Sequence, residues 1–270
     1  IFSSIKRGIL EFDTAPVYGN SEKILGEVNN SLYEQNLNIN TKLNLQTTQS
    51  YVNDTALLLN DIRKSIVNSL KFINSNKINT LFFHDSNLFI YFHKELPKIL
   101  KKIKQEFEIK KIGVSVYSPK EAEFVINFNL VDVIQIPFNI LDYRWKNDID
   151  ITNINNVNNI EIQVRSIFLQ GLLLEEKIEK FQYKKNIEKI NLFLNNFVDK
   201  FKRKNKLNLI ISYIRGHEFI SKVIIGINNS KQLNNFFEVV SNRPLIKKEI
   251  NQIDSEMPKF DDKFLDPRNW

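Results

Sequence analysis

The densest group of residues with chemical potential lies at positions 12–26. The segment reads Phe-Asp-Thr-Ala-Pro-Val-Tyr-Gly-Asn-Ser-Glu and continues to Leu25 and Gly26. Asp13 follows a short apolar run, and Tyr18 comes five residues later, so both are expected just after a strand. A lone Asp in this position is usually a turn or capping residue. That interpretation accounts for Asp13 but not for the whole string, which is specific.

Two further polar side chains, Lys42 and His84, end later apolar runs. Hydride delivery to a carbonyl carbon develops negative charge on the oxygen, which a positioned proton donor stabilises. A tyrosine, with an ordinary pKa of about 10, becomes a better acid beside an ammonium group. Lys42 would therefore activate Tyr18, and Asp13 would hold Lys42. His84 would orient the carbonyl or relay the proton. Taken singly, each residue is more often solvated or structural.

The pattern as a whole resembles the aldo-keto reductase family over about residues 8–235. Members of that family are (β/α)8 barrels that reduce carbonyls with NADPH, and their reactive Asp, Tyr, Lys and His stand at successive strand ends. The resemblance assigns these catalytic roles to Asp13, Tyr18, Lys42 and His84. It implies a small-molecule carbonyl substrate and no metal.

The resemblance also implies a set of cofactor contacts. Ser115 and Gln135 match the positions that hold the nicotinamide carboxamide, although the family usually has Asn where this chain has Val116. Arg165, followed by Ser166, stands where many members stack an aromatic ring, and its planar guanidinium could stack instead. The segment that grips the adenosine phosphates matches Gly226, Ser230 and Gln232.

The cofactor implied by the resemblance is NADP(H), with NAD(H) as the alternative. Many NADP-preferring members carry Lys and Arg in the phosphate segment, whereas here only Lys231 is nearby. A helix beginning at about Ser230 would offer free N–H groups to a phosphate. An ordinary N-cap at Ser230 explains the same residue equally well.

Alternating elements must position these residues. Short apolar or β-branched runs predict seven strands, at residues 9–12, 37–43, 78–83, 111–116, 131–136, 160–168 and 223–227. Apolar stripes at helical spacing lie between them, at 59–73, 96–107 and 187–201. Ser118 and Glu121 form a capping box at the start of another helix.

Repeated β-α units favour a parallel sheet, either an open doubly wound sheet or a closed (β/α)8 barrel. No Gly-rich phosphate loop follows an early strand, so we predict the barrel. No linker-like stretch divides the chain, which predicts one domain over residues 1–270 with a C-terminal extension from about 243 to 270. The chain does not start with Met, and the family's first strand is expected to be missing. If the 270 residues were the whole molecule, its unpaired strand edges predict instability and little activity.

Composition narrows the class of protein. The chain is 42% hydrophobic and 26% charged, as in ordinary globular proteins, and it has no cysteine for disulfides or thiolate chemistry. The net charge of +7 is spread among acidic residues, so nucleic-acid binding is not expected. No apolar segment approaches the length of a membrane span and no signal peptide is evident, so we expect a cytoplasmic protein. His93 and His217 are expected at the surface. The oligomeric state is left open.

Three functions remain in competition. The leading one is NAD(P)H-dependent reduction of an aldehyde, ketone or sugar-like carbonyl with Tyr18 as proton donor. The second is a low-turnover cofactor-binding module that regulates or binds a partner, and the third is a lyase or isomerase that uses Lys42 as a Schiff base. Aromatic stretches at 87–92 and 138–145 could line a substrate pocket or serve as packing anchors.

Overall fold

The computed structural model describes residues 1–32, 37–52, 54–147, 159–175 and 184–266. Within them, seven strands alternate with helices. The strands are β1 (Glu11–Asp13), β2 (Asn38–Lys42), β3 (Lys77–Phe83), β4 (Glu108–Ser115), β5 (Val133–Pro137), β6 (Glu161–Arg165) and β7 (Lys222–Val223). No strand precedes β1 in the described residues 1–10.

Twelve α-helices are present in the described part of the chain. They are α1 (Phe2–Ile5), α2 (Ser21–Ser31), α3 (Thr55–Ile73), α4 (Ser86–Tyr91), α5 (Leu96–Glu106), α6 (Pro119–Asn127), α7 (Arg144–Asn147), α8 (Lys184–Lys200), α9 (Lys206–Arg215), α10 (Ser230–Val240), α11 (Lys247–Glu256) and α12 (Asp262–Leu265). Short 3₁₀ segments lie at Thr48–Tyr51 and Leu169–Leu174. No helix of the described residues is both long and apolar enough to cross a membrane.

The chain divides into two compact units, one of Ile1–Ile136 with Ile154–Glu161 and the other of Pro137–Asn153 with Ile162–Trp270. In the first unit, β1 to β4 and the start of β5 form a parallel sheet in chain order. Phe12 lies beside Ile39, and Ser115 lies beside Gln135. Because the strands are parallel, their carboxyl ends share one edge of the sheet, as predicted.

The sheet of the first unit is strongly curved. Strands four places apart in a flat sheet are separated by about 19 Å, at about 4.8 Å per step. Yet Nε2 of Gln135, on β5, donates a hydrogen bond of 3.1 Å to Oδ1 of Asp13, on β1. Side chains can meet in this way only across the concave face of a barrel-like sheet.

Helices cover the outside of this sheet at close range. The α3 stripe buries Ile62, Ile66 and Ile73, as its spacing predicts. It also buries Leu58, one position before the predicted range, whereas Leu59 and Leu70 are half-buried. Gly26 on α2 packs against the backbone at the end of α3, where an added Cβ would collide with the Phe72 carbonyl oxygen. The predicted N-cap is confirmed, since the Ser118 side chain accepts a hydrogen bond from the Glu121 N–H. The Glu121 carboxylate accepts the Tyr117 N–H and the Ser118 hydroxyl, so the exchange differs from a standard capping box. Local capping and close packing therefore fix the helices relative to the strands.

The second unit contains a parallel pair, β6 and β7, and the helices α8 to α12. Strand β7 has two residues, shorter than the predicted 223–227. The aromatic core of the second unit includes Phe138, which is fully buried. The ring centroids of Phe138 and Tyr213 are 6.4 Å apart. The Tyr213 hydroxyl donates to Asp254 at 2.8 Å. Burial and this carboxylate raise the pKa of Tyr213 well above 10.

Three local predictions were wrong or incomplete. Asn229, not Ser230, caps α10, because the Asn229 side chain accepts the Gln232 N–H. His217 is half-buried and its ring centroid lies 5.1 Å from that of Phe138. His93 is half-buried against Phe128 at 4.3 Å. Neither histidine is simply a surface residue.

The single-domain prediction stays a prediction, and residues 267–270 of its C-terminal extension lie outside the described residues.

Candidate active site

A buried ion pair forms the base of the candidate site. The Lys42 ammonium donates to Oδ2 of Asp13 at 2.6 Å and to the Thr14 carbonyl oxygen at 3.0 Å. The Lys42 side chain is 1% exposed and that of Asp13 is 11% exposed. Lys42 ends β2 and Asp13 ends β1, so parallel pairing brings their carboxyl ends together. The pair places a fixed positive charge on the inner side of this edge.

The other Asp13 oxygen is held from across the sheet. Oδ1 accepts the Gln135 amide at 3.1 Å while Oδ2 accepts Lys42. With both oxygens bonded, the carboxylate is fixed in orientation, and so is the ammonium that it holds. The sequence pattern singled out Gln135 as a cofactor contact and missed this second bond, which depends on the curvature of the sheet.

Tyr18 and His84 lie beside the ion pair. The Lys42 Nζ is 5.1 Å from the Tyr18 ring centroid. The Tyr18 and His84 rings meet edge to face, with centroids 6.1 Å apart and planes at 89°. Tyr18 is 49% exposed, so its side chain is open to solvent while the ion pair behind it is buried. The structure therefore brings together all four residues that the sequence proposes for catalysis.

Supporting polar residues that the sequence pattern did not identify lie next to these four. The Thr41 hydroxyl donates to Oε1 of the buried Glu22 at 2.6 Å, which links β2 to α2. The Thr14 and Ser21 hydroxyl oxygens are 2.5 Å apart. Thr14, Ser21 and Glu22 belong to the same specific segment as Asp13 and Tyr18. Their place in that segment was the feature of the sequence that could have identified them. These bonds position the loop that carries Tyr18.

Two of the predicted cofactor residues lie side by side in the sheet, Ser115 at the end of β4 and Gln135 in the middle of β5. Each is 1% exposed. The Ser115 hydroxyl makes no hydrogen bond to a described residue, so it is available to a polar group placed at this edge. Val116 is fully buried, and its N–H donates to the Gln135 carbonyl at 3.0 Å. A hydroxyl and an amide side by side suit a carboxamide.

The remaining predicted cofactor residues belong to the second unit. Arg165 ends β6, and its carbonyl accepts the Phe138 N–H at 3.0 Å. Ser166 follows with a φ of 59°, in the left-handed region. Ser230 is the exposed first residue of α10. The Gln232 side chain accepts the Asn228 N–H at 2.8 Å.

At Gly226 the backbone is exposed, with no atom within 4 Å of an added Cβ. The first N–H groups of a helix such as α10 have no partner within the helix.

Aromatic residues that could line a substrate pocket serve mainly in packing. Phe89 and Phe92 are buried in the first unit, and Phe138 and Trp145 are buried in the second. Tyr143 is half-buried, and Tyr91 is 52% exposed. No group of three or more His, Asp or Glu residues that could hold a metal ion occurs in the described part of the chain.

The arrangement contains the parts needed for proton donation to a carbonyl oxygen. It has a solvent-facing phenol, a buried ammonium near its ring, a carboxylate that fixes the ammonium, and an imidazole beside the phenol. An ammonium near a phenol stabilises the phenolate left after proton donation. The same groups also fit the family pattern on which the sequence prediction rests.

Comparison with known proteins identifies the family. The model of the aldo/keto reductase family matches residues 3–257. The chain belongs to the aldo/keto reductase family, whose members are oxidoreductases that act on carbonyl compounds with nicotinamide cofactors.

Among curated proteins, the chain is similar to the NADH-specific methylglyoxal reductase of Escherichia coli (strain K12). The two are 27% identical over 186 residues, which is 64% of this chain and 56% of that protein. The aligned part thus spans a little over half the length of this relative.

Solved structures are similar in fold. A glycerol dehydrogenase from Gluconobacter oxydans matches with a TM-score of 0.72 and 20% identity, over 96% of this chain and 86% of that one. An aldo-keto reductase from Bacillus halodurans matches with a TM-score of 0.72 and 18% identity, over 94% and 83%. These matches confirm the predicted fold class, the (β/α)8 barrel, with seven of its strands in the described residues.

Proposed function

We propose that this chain reduces an aldehyde, ketone or sugar-like carbonyl with a nicotinamide dinucleotide, and that Tyr18 donates the proton. The observation that carries the proposal is the buried Lys42–Asp13 pair at 2.6 Å with Tyr18 and His84 at its open side. If Lys42 were an ordinary surface lysine, its charge would not account for the Tyr18 phenol and the His84 imidazole lying next to it. This set of groups is suited to an oxygen that gains negative charge.

Tyr18 acts as the general acid in this proposal. Its hydroxyl donates a proton to the carbonyl oxygen as the carbonyl carbon is reduced, and the product is an alcohol. The resulting phenolate is stabilised by the positive charge of Lys42, 5.1 Å from the ring centroid. Because Tyr18 is 49% exposed, water can return the proton after each turnover.

Asp13 and Gln135 act as positioning residues. Asp13 holds the Lys42 ammonium in place, and Gln135 fixes the Asp13 carboxylate from the opposite side. His84 orients the carbonyl, since its ring is edge-on to Tyr18 and shares the same open side. General acid catalysis of this kind contributes about 10²- to 10⁴-fold to a rate.

The residues present fit a nicotinamide cofactor. The Ser115 hydroxyl, 1% exposed and without a hydrogen bond to a described residue, and the adjacent Gln135 amide would hold the carboxamide. When bound, the reduced nicotinamide supplies the hydride. Arg165 and Ser166 would border the nicotinamide ring. Gly226, Ser230 and Gln232, at and before the start of α10, would hold the adenosine phosphates.

NADH is the cofactor that we propose to test first, with NADPH as the alternative. Lys231 is the one cationic residue of the segment 226–232, and the Gln232 side chain is bonded to the Asn228 N–H. An extra 2′-phosphate would thus find a single positive charge in this segment. A relative 27% identical is named as NADH-specific.

Small carbonyl compounds are the proposed substrates. A relative that is 27% identical is named for methylglyoxal, which suggests short, polar carbonyls. Nucleic acid and membranes are not proposed as partners, and the cytoplasm is the proposed location. The Schiff-base alternative is disfavoured by geometry, because the Lys42 side chain is 1% exposed and its Nζ is bonded to Asp13 and to the Thr14 carbonyl oxygen, so a substrate carbon has little access to it.

The test is oxidation of NADH and NADPH against a panel of small aldehydes, ketones and sugars, with native protein and two matched variants. Tyr18→Phe removes the proposed proton donor. Tyr51→Phe removes a buried hydroxyl that donates to Asp61 at 3.1 Å, outside the site. We expect turnover by native protein and Tyr51→Phe, and a loss of 10²-fold or more in Tyr18→Phe.

Equal turnover by Tyr18→Phe would remove Tyr18 from the reaction. Cofactor binding with no turnover on any carbonyl would favour the regulatory module instead. Borohydride trapping of a substrate on Lys42 would favour the Schiff-base enzyme.

A further inference from the structure

A basic cleft of the second unit lies outside the candidate active-site residues. It has a volume of about 480 Å³ and is formed by the loop between α8 and α9, the first turn of α9 and the end of α10. Its charged and amide-bearing lining residues include Lys202, Arg203, Lys204, Asn208, Glu238 and Arg243. Four cations thus face one carboxylate in the lining.

Arg203 is buried in this cleft with three of its five N–H donors unused. Its side chain is 6% exposed. Nη1 donates to the Ser212 hydroxyl at 3.1 Å and to the Arg243 carbonyl at 3.0 Å. Nε and Nη2 are buried and have no hydrogen-bond partner among the described residues. The nearest carboxylate oxygen, on Glu249, is 3.9 Å from Nη2, beyond hydrogen-bond distance.

The unused atoms define the shape of a ligand. Nε and Nη2 lie along one edge of the planar guanidinium, and that edge binds two oxygens of a phosphate or carboxylate in parallel. Asn208 adds a third donor group, because its Nδ2 is also buried with no acceptor in the described part of the chain and the residue is 2% exposed. Buried donors without acceptors destabilise a fold, so three of them in one cleft call for an acceptor.

The charge balance favours an anion. Lys204 is paired with Glu238 at 2.8 Å, and Arg243 is paired with Glu249 at 2.7 Å. Arg203 and the exposed Lys202 remain without a hydrogen-bonded carboxylate among the described residues. Burial lowers the pKa of Arg203, and the neighbouring charge of Arg243 lowers it further, while Glu249 opposes the shift. Glu249 lies close to both Arg243 and Arg203, so Lys202, Arg203, Lys204 and Arg243 stand against two carboxylates, Glu238 and Glu249. The net charge of about +2 matches the charge of about −1.5 to −2 on a phosphate group at pH 7.

We propose that this cleft binds a phosphate group, either free phosphate or a small phosphate monoester. The Nε and Nη2 edge of Arg203 binds two phosphate oxygens, the Asn208 amide donates to one of them, and Lys202 adds charge from the rim. A carboxylate would fill the Arg203 edge but would neutralise only one of the two charges. The site is independent of the carbonyl chemistry proposed above and lies on other residues.

The test is calorimetric titration of inorganic phosphate into the native protein at constant ionic strength, with sodium chloride as the reference salt. Glycerol 3-phosphate is titrated in parallel to separate a monoester from free phosphate. Arg203→Met and the exposed Lys202→Met are the variants, and Lys98→Met, an exposed lysine on α5, is the matched control.

Each titration is repeated with saturating NADH to separate this cleft from the proposed cofactor segment.

We expect saturable binding to native protein and to Lys98→Met, with or without NADH. Arg203→Met should weaken it about tenfold or more, because a bidentate charged contact is lost. Lys202→Met, a surface change that leaves the fold intact, should weaken it several-fold. Tighter binding of glycerol 3-phosphate than of phosphate would identify a monoester site. No saturable binding, or binding that NADH displaces and both cleft variants retain, would overturn the proposal.

Discussion

Replacing Asp13 by Asn removes one negative charge from the buried pair and keeps the shape of the side chain. In the native protein, Asp13 accepts hydrogen bonds from two donors, the Lys42 ammonium and the Gln135 amide. An Asn side chain has one oxygen and one NH₂ group. Whichever way the amide faces, its NH₂ group therefore points at another donor.

The cost can be worked out from the burial of the pair. Lys42 is 1% exposed and Asp13 is 11% exposed, so water does not replace the lost carboxylate. Removing one partner of a buried ion pair costs about 3–5 kcal/mol, because the other charge is left uncompensated. For a chain of this size, that corresponds to a drop in Tm of roughly 5–9 °C.

The assay is chemical unfolding of native protein, Asp13→Asn, Lys42→Met and the double variant. We expect the double variant to be more stable than the sum of the single changes predicts, by about 2 kcal/mol or more, since it leaves no unpaired charge. The stabilising role of the buried pair would be refuted if Asp13→Asn lowered the free energy of unfolding by less than about 1 kcal/mol and its effect simply added to that of Lys42→Met.

Three further outcomes follow from local geometry. Because the pKa of Tyr213 is raised in the folded protein, the Tyr213 hydroxyl loses its proton at lower pH in the unfolded chain than in the folded one. The free energy of unfolding should therefore fall by about 1.4 kcal/mol per pH unit as pH rises above about 10. Tyr213→Phe should reduce this slope in unfolding measured at alkaline pH. Gly26→Ala should destabilise by about 1–3 kcal/mol in urea unfolding, because its Cβ meets the backbone of α3, whereas Gly226→Ala has open space and should change stability by less than about 0.5 kcal/mol. Ser118→Ala should lower the unfolding midpoint by removing the α6 cap, at a cost of about 1 kcal/mol, and Ser118→Asp should restore it.

Much of the site was predictable because it depends on strand ends. Asp13 and Lys42 each end an apolar run, and the carboxyl ends of parallel strands share one edge. His84 follows β3 in the same way. Placing these residues at one edge of the sheet requires only the strand order and direction, not side-chain coordinates. The sequence therefore predicted correctly that they lie close together. Their catalytic roles remain proposals.

The rest required three-dimensional information. The bond from Gln135 to Asp13 spans 122 positions and depends on how far the sheet curves. The half-burial of His217 depends on Phe138, far away in the chain, and a local pattern does not contain that contact. Asn229 and Ser230 are both good N-caps, so the sequence alone could not choose between them.

The two proposed sites differ in how their buried cations are satisfied. The Lys42 ammonium has a carboxylate at 2.6 Å, so its charge is compensated within the protein and serves the neighbouring phenol. The Arg203 guanidinium has Glu249 only at 3.9 Å, and its Nε and Nη2 atoms have no hydrogen-bond partner in the described part of the chain, so these donors are left for a ligand. Burial alone does not distinguish catalysis from binding, but the partners of the buried group do.

The most direct test of the central claim is the single-turnover rate of carbonyl reduction with NADH already bound, in native protein and in Lys42→Met. NADH affinity is measured in both by fluorescence titration, and folding by circular dichroism. We expect Lys42→Met to bind NADH as native protein does and to reduce the carbonyl at least 10²-fold more slowly, because the phenolate of Tyr18 loses its counter-charge. A folded Lys42→Met variant that binds NADH and reacts within a few-fold of the native rate would contradict the account.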